Sequence, residues 1–428
     1  MRQRQEKLTG SAFLSKLEHS MKILHTADWH LGKKLDYFSR LEEQREVLAE
    51  ISEIAEREQV DAIIIAGDLF DTFNPPVEAV ELLYKTLRRL SNNGERPVIA
   101  IAGNHDSADR IDAPDALARE CGIIFVGYPK ARVVPFEVQH GYALSKTDDG
   151  FIELLLPRHN YPLRIIHTPF ANELRLKQFL GLESKEQKLN ELLHEHWQTV
   201  ADAYCDEQGV NMLTAHLYML RRGGEILEEP EGEKPIKVGH ADLIYSDGIP
   251  RQIQYTALGH LHRFQEIGGH PAPVVYPSSP LAYSFAEAGQ EKGVVIIDAK
   301  PAQPVTYAKI PLKSGRALHR KKFLHIDEAV AWLHANPYAL IELTLVSNTF
   351  LSSAELKRIH EAHDGIIHII PVVKSEEMIE EKVQSINLDQ DIDALFKDYF
   401  QYRLGQEPNH EIMQLLNEVI NSNTETED

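Results

Sequence analysis

MKILHTADWH (residues 21–30), DAIIIAGD (61–68) and RPVIAIAGNHD (96–106) share one pattern, a short run of aliphatic residues that stops abruptly at a polar cluster. Runs of this length and composition read as buried strands. Between them, LEEQREVLAEISEIAEREQ (41–59) and PPVEAVELLYKTLRRLSNNG (75–94) space their apolar residues as helices do, and the second ends at Gly94. Strands alternating with helices predict a βαβ sheet covered on both faces, an α/β fold. The polar clusters then fall at the carboxyl ends of the strands, where such sheets open onto a shared crevice.

Further along, FIELLLP (151–157) and LRIIHTPF (163–170) read as strands, followed by a polar helix from about 184 to 208. NMLTAHLYM (211–219), IQYTALGHLHRF (253–264), VVYPSSP (274–280) and KGVVIIDA (292–299) complete a second sheet. AKPAQPVTYAKIP (299–311) reads as a strand or linker leaving this domain. A small strand and helix unit follows, in which Ser352 and Glu355 form a capping box. Past residue 375 the chain turns acidic and helical, and it closes on the polar NSNTETED (421–428). The expected organisation is therefore a loose extension over 1–20, a catalytic domain over 21–300, an α+β cap over 301–375, a helix-loop-helix over 376–421 and a disordered tail over 422–428.

With 43% hydrophobic and 26% charged residues in 428, the composition is that of an ordinary globular protein. Cys121 and Cys205 lie far apart and form no CxxC pair, so neither a disulfide framework nor a thiolate zinc site is indicated. No run is apolar and long enough for a membrane helix, and the first twenty residues lack a secretory core, although Phe13, Leu14 and Leu17 have helical spacing. A soluble cytoplasmic protein is expected. The formal net charge of −20 argues against a free-standing duplex binder held by counterion release. It leaves a phosphoester enzyme open, because bound cations and a partner can supply the positive charge.

Five polar clusters carry the chemistry: Asp28-Trp29-His30, Gly67-Asp68, Gly103-Asn104-His105-Asp106, His216 and Gly259-His260-Leu261-His262. Singly, an Asp-x-His can be a solvated turn, His216 a core histidine and Asp68 a helix cap. As an ordered set they offer two carboxylates, one amide and four imidazoles besides His105. An extended backbone would place Asp28 beside His30 and His260 beside His262. These donors suit Mn²⁺, Fe²⁺ or Zn²⁺. Seven donors exceed the needs of one ion, whereas two ions bridged by a shared carboxylate match the clamp used for in-line displacement at phosphorus.

The five clusters resemble the signature of the calcineurin-like metallophosphoesterases over about residues 21–290, a four-layer β-sandwich flanked by helices. Within that superfamily MKILHTADWHLGKKL (21–35), AIIIAGDLFDTFNPP (62–76), IAGNHDS (101–107) and YTALGHLHR (255–263) are similar to the SbcD nuclease family. The resemblance implies a Mn²⁺-dependent DNA exonuclease and endonuclease acting on duplex ends and hairpins in repair and recombination. It implies Asp28, His30, Asp68 and His262 as ligands of a first metal, and Asp68, Asn104, His216 and His260 as ligands of a second. His105 becomes a catalytic acid or substrate orienter, with Asp106 fixing its ring. Asp71, where some relatives carry histidine, reads as a cap or turn residue. A nuclease homodimer joined to two SbcC-type ATPase subunits is implied as the assembly. A phosphodiesterase or phosphatase acting on small nucleotides is the alternative.

Candidate DNA contacts are Lys33, Lys34, Arg110, Arg221, Arg222 and Arg263, each just past a ligand cluster. At the other end of the chain, Ile392, Leu395, Phe396, Tyr399 and Phe400 form one apolar helical stripe, and Ile412, Leu415, Leu416, Val419 and Ile420 a second. RLGQEPN (403–409) makes the turn between them. Three aromatics within five residues suit a helix that docks in a partner's groove, here the ATPase.

Overall fold

The computed structural model describes residues 19–139, 141–180, 184–224, 243–347 and 351–373, together with 394–397 and the single residues 400, 408, 413 and 416. Two sheets build the main body. The first has six strands in the order Thr306–Pro311, Gly293–Ala299, Met21–Thr26, Ala62–Ile65, Val98–Ile101 and Ile123–Val126. The second has eight, in the order Gln265–Glu266, Val274–Tyr276, Tyr255–Gly259, Val210–His216, Leu163–Thr168, Phe151–Leu155, Ala143–Asp148 and Phe136–Glu137.

Successive strand residues point to opposite faces, and in the first sheet both faces of Ala62–Ile65, Val98–Ile101 and Ile123–Val126 are buried, which is why these strands are apolar throughout. Ile23, Ile64, Ile99 and Ile124 turn inward and meet Ile152, Ile165, Met212 and Tyr255 of the second sheet. Leu24, Ile63, Ile65 and Val98 turn outward, under Val47, Ile51, Leu83 and Leu87 of the helices Leu41–Arg57 and Val77–Leu90. The second sheet is covered in turn by Leu189, Leu193 and Trp197 of the helix Lys185–Tyr204. The result is the expected α/β sandwich of four layers, helix, sheet, sheet and helix. Gly293–Ala299, expected in the second sheet, instead pairs antiparallel with Met21–Thr26 in the first, and Thr306–Pro311, within the stretch read as a strand or linker leaving the domain, pairs with it as that sheet's edge.

The strands Leu318–Phe323, Leu340–Ser347 and Ile366–Val373 and the helices Ile326–Ala335 and Ser353–Ala362 form the smaller unit, with Ala329, Leu333, Ile341, Leu343 and Ile359 at its centre. The capping box of Ser352 and Glu355 is present. Leu318, Leu340 and Ile367 pack on Leu35 and Phe285 of the main body. The Tyr37 hydroxyl donates to the Ile366 carbonyl at 3.0 Å, and Asp36 pairs with His368.

Of the two C-terminal stripes, Leu395, Phe396, Phe400 and Leu416 are described and helical, and the rings of Phe396 and Phe400 are 5.7 Å apart. Ile392, Tyr399, Ile412, Leu415, Val419 and Ile420 lie outside the described residues, as do the extension 1–18 and the tail 422–428. No described helix is long and apolar enough to cross a membrane.

Candidate metal centre

Strands Met21–Thr26, Ala62–Ile65 and Val98–Ile101 run parallel in one sheet, and Val210–His216 and Tyr255–Gly259 run parallel in the other. All five clusters lie at their carboxyl ends, His216 as the last residue of its strand. The first two loops are laced together by backbone bonds: Asp28 N–H donates to Gly67 O at 3.0 Å, His30 N–H to Asp68 O at 2.9 Å and Leu31 N–H to Leu69 O at 3.0 Å. Trp29 anchors this lacing, because its ring is buried in the outer core and its Nε1 donates to Thr26 Oγ1 at 3.0 Å.

The extended backbone expected around Asp28 and His30 is absent. Both take left-handed conformations, with φ of 57° and 45°, as do Asp68 at 51° and His260 at 111°. Non-glycine residues held this way cost about 1–3 kcal/mol each, so the surrounding bonds must over-determine them. The ligands are thus brought together by turns and not by strand alternation. Two glycines make room for them. A Cβ at Gly67 would lie 2.2 Å from His216 Nδ1, and one at Gly103 2.0 Å from Asp68 Oδ1.

Asp28, His30, Asp68 and His216 are fully buried, and His260 and His262 are 2% exposed. His30 Nε2 and His262 Nε2 approach to 3.0 Å, and the atoms offered by Asp28, His30 and His262 all lie within 4.8 Å of one another. Asp28, Asp68 and His216 form a second such group. Asn104 Oδ1 lies 2.9 Å from His216 Nε2 and 3.1 Å from His260 Nδ1. Asp68 Oδ2 sits between the halves, 3.3 Å from His216 Nε2 and 3.6 Å from His30 Nε2.

The electrostatics ask for positive charge. Asp28 Oδ2 and Asp68 Oδ2 are buried and make no hydrogen bond. An orphaned buried carboxylate oxygen is strongly unfavourable unless a cation meets it. Burial pushes the Asp28 carboxyl up. It pushes Asp68 the same way, but the imidazoles of His216, His105 and His30 hold that carboxyl far below the usual range. Burial would lower His216, yet Asp68 facing it raises it to about 9. The Ala66 carbonyl accepts from His216 Nδ1 at 2.8 Å, which turns Nε2 toward Asp68 and Asn104. The residues gathered around Asp68 therefore fit divalent cations.

Asp106 does a different job from the expected one. Its carboxylate accepts from the backbone N–H groups of Leu69 at 3.0 Å, Phe70 at 2.9 Å and Gly103 at 2.8 Å. It ties the Gly67-Asp68 loop to the Asn104-His105 turn, while His105 Nδ1 meets the Asp71 carbonyl at 2.8 Å. Replacing Asp106 with alanine would strand three buried donors. Charge-assisted bonds of this kind contribute about 1.5–3 kcal/mol each, so Asp106→Ala is expected to lower the melting temperature clearly, as read by calorimetry.

Asp71 is also more than a turn residue, since Oδ1 lies 2.9 Å from Lys33 Nζ and 3.6 Å from His30 Nδ1. Glu287, which no motif marks, faces His262 Nδ1 at 3.3 Å. Gln44, on the helix Leu41–Arg57, donates to the His30 carbonyl at 2.8 Å. Of the cations proposed from sequence, Lys33 is engaged by Asp71, and Arg222 pairs with Asp247 at 2.7 Å and lies over the Tyr245 ring. Arg110 bonds Asn74 at 3.1 Å, and Lys34, Arg221 and Arg263 are exposed.

A family model described as calcineurin-like phosphoesterase matches residues 21–264, a span that holds every residue of the cluster except Glu287. The chain is 36% identical over 419 residues, 95% of its own length and all of the relative's, to the SbcD subunit of the SbcCD nuclease of Bacillus subtilis. It is 35% identical over 294 residues to the protein of that name from Rhodobacter capsulatus, covering 65% of this chain and 66% of the relative. The counterpart in Staphylococcus epidermidis is 28% identical over 413 residues, 94% of this chain and 99% of that one.

Proposed function

The chain belongs to the calcineurin-like phosphoesterases, among the SbcD subunits of SbcCD nucleases, and from that membership we propose that it cleaves DNA phosphodiesters at a two-metal centre occupied by Mn²⁺. One observation carries the reading: Asp28, His30, Asn104, His216, His260 and His262 gather around Asp68, and both carboxylates have an unbonded buried oxygen. Divalent cations bound there supply activation of water and relief of the charge that builds on the phosphoryl oxygens.

The chain's own residues do the rest. Asp28, Asp68, Asn104 and the four imidazoles fix the cations relative to the scissile phosphate. The Asp71 carbonyl can only accept, so His105 carries a proton at Nδ1, and Nε2 is the nitrogen that would protonate or hydrogen-bond the departing sugar oxygen. Asp106 keeps Asn104 and His105 in register with Asp68 through the backbone. Lys34, Arg221 and Arg263, exposed at the surface, are the cations we assign to the phosphate backbone.

The net charge of −20 leaves most of the DNA grip to a partner, an SbcC-type ATPase bound through the stripes at 392–400 and 412–420. Truncation after residue 385 is expected to leave a nuclease that still cuts with Mn²⁺ but neither co-purifies with the ATPase nor shows ATP-dependent cutting. Aggregation of the shortened chain would instead assign the stripes to its own core. A nuclease dimer joined to two ATPase subunits is the assembly suggested by membership among the SbcD subunits. The cytoplasm is the compartment that suits such an assembly.

The deciding experiment incubates the purified protein with labelled duplex and hairpin DNA and Mn²⁺ or Mg²⁺, with and without the ATPase. Cleavage of both DNAs is expected. Hydrolysis of a small chromogenic phosphodiester with none of DNA would overturn the nuclease reading in favour of small nucleotides.

A further inference from the structure

Behind His262 lies a charged group that the phosphodiester chemistry above does not use. Glu287 closes the short turn Phe285–Glu287 and is 2% exposed; Lys292, just before the strand Gly293–Ala299, is 7% exposed. Glu287 Oε1 faces His262 Nδ1 at 3.3 Å and accepts from Tyr283 N–H at 3.2 Å. Its Oε2 pairs with Lys292 Nζ at 2.5 Å. Lys292 Nζ also donates to the His262 carbonyl at 2.8 Å and to Ser279 Oγ at 3.0 Å. The lysine therefore holds the backbone of the histidine while the carboxylate holds its ring.

Packing alone does not call for this pair. Withdrawing two charges from water is unfavourable enough that well-packed apolar residues of similar size usually serve stability as well or better. The position of the carboxylate points to another role. An ionised carboxylate can only accept, so a proton is favoured at His262 Nδ1, and Nε2 is kept as a lone-pair donor beside His30 Nε2, 3.0 Å away. The Lys292 ammonium on the other carboxylate oxygen favours the ionised form of Glu287. Carboxylates placed behind metal-bound imidazoles in this way fix the tautomer and the ring angle, and their loss typically weakens metal binding by about 10–100-fold.

We propose that Glu287, paired with and held by Lys292, is a positioning residue of the centre: it locks the ring of His262 and thereby sets the affinity of the cation site formed with Asp28 and His30. The inference rests on the two-metal reading above. Its test is Mn²⁺ binding to the full-length protein by titration calorimetry, with melting temperature measured in parallel. Two variants are compared with the wild type, Glu287→Gln and the doubly substituted Glu287→Gln/Lys292→Met, which removes both buried charges.

The single variant should lose about 10–100-fold in one of two binding steps and keep the other. Half-activation of DNA cleavage should move to higher Mn²⁺ by the same factor. The double variant should regain melting temperature yet keep the weakened step, because what His262 lacks is the carboxylate. Unchanged affinity in the single variant, or affinity restored together with stability in the double, would overturn the proposal and leave the pair a packing device. Wild-type protein showing fewer than two binding events would overturn the two-metal reading itself, and this inference with it.

Discussion

Asp68→Asn is expected to abolish DNA cleavage, by about a thousandfold or more, while the protein stays folded. The substitution is nearly isosteric, and the amide oxygen can still accept the His105 N–H that Asp68 Oδ1 accepts at 2.9 Å. Asparagine also tolerates the left-handed backbone at this position, where φ is 51°, so it adds little strain. The strand beneath is held by Ile63, Ile64 and Ile65, all fully buried, and does not depend on the carboxylate. What disappears is the negative charge lying between His216 and His30. Elemental analysis for Mn²⁺ together with a nuclease rate checks the point, and a variant that cuts at the wild-type rate would refute Asp68 as the bridge.

The second large effect belongs to His105. General acid catalysis is worth about a hundredfold to ten-thousandfold, so His105→Ala should lose that much rate while both cations stay bound. The geometry makes the question a sharp one, since His105 lies within 4.8 Å of the atoms offered by His30 and Asp68 and has the position of a ligand as well as of an acid. The hydrogen bond from Nδ1 to the Asp71 carbonyl suits either role, since it leaves Nε2 for the centre. Loss of one Mn²⁺ on substitution would make it a ligand instead.

Much of this site is legible in the sequence because strand ends are legible. Apolar runs such as IIIAGD and VIAIAGNHD announce a buried strand and the place where it stops, and parallel packing brings those stops to one rim. Loop conformation does not announce itself in the same way. Strand alternation is the wrong geometry for the pairing of Asp28 with His30, and nothing in Asp-Trp-His signals two left-handed residues held by bonds to a loop 40 residues away. The motif suggests that Asp106 fixes a ring, yet its neighbours in space are backbone donors, and the carbonyl of Asp71 takes that role instead. Glu287 escapes the sequence because its contact with His262 spans 25 residues and has no periodic or motif signature.

The strand Met21–Thr26 lies inside its sheet, parallel to Ala62–Ile65 on one side and antiparallel to Gly293–Ala299 on the other. During synthesis its first neighbour emerges early and its second only after some 270 further residues. Until then a strand that is apolar on both faces presents an unpaired edge to solvent, the kind of surface that nascent chains aggregate through and chaperones shield. Closing so long a loop is slow, because the entropy of bringing its ends together is lost before any pairing compensates it. The donors themselves are spread from residue 28 to residue 262, so a translation product that stops short of His262 cannot complete the cluster.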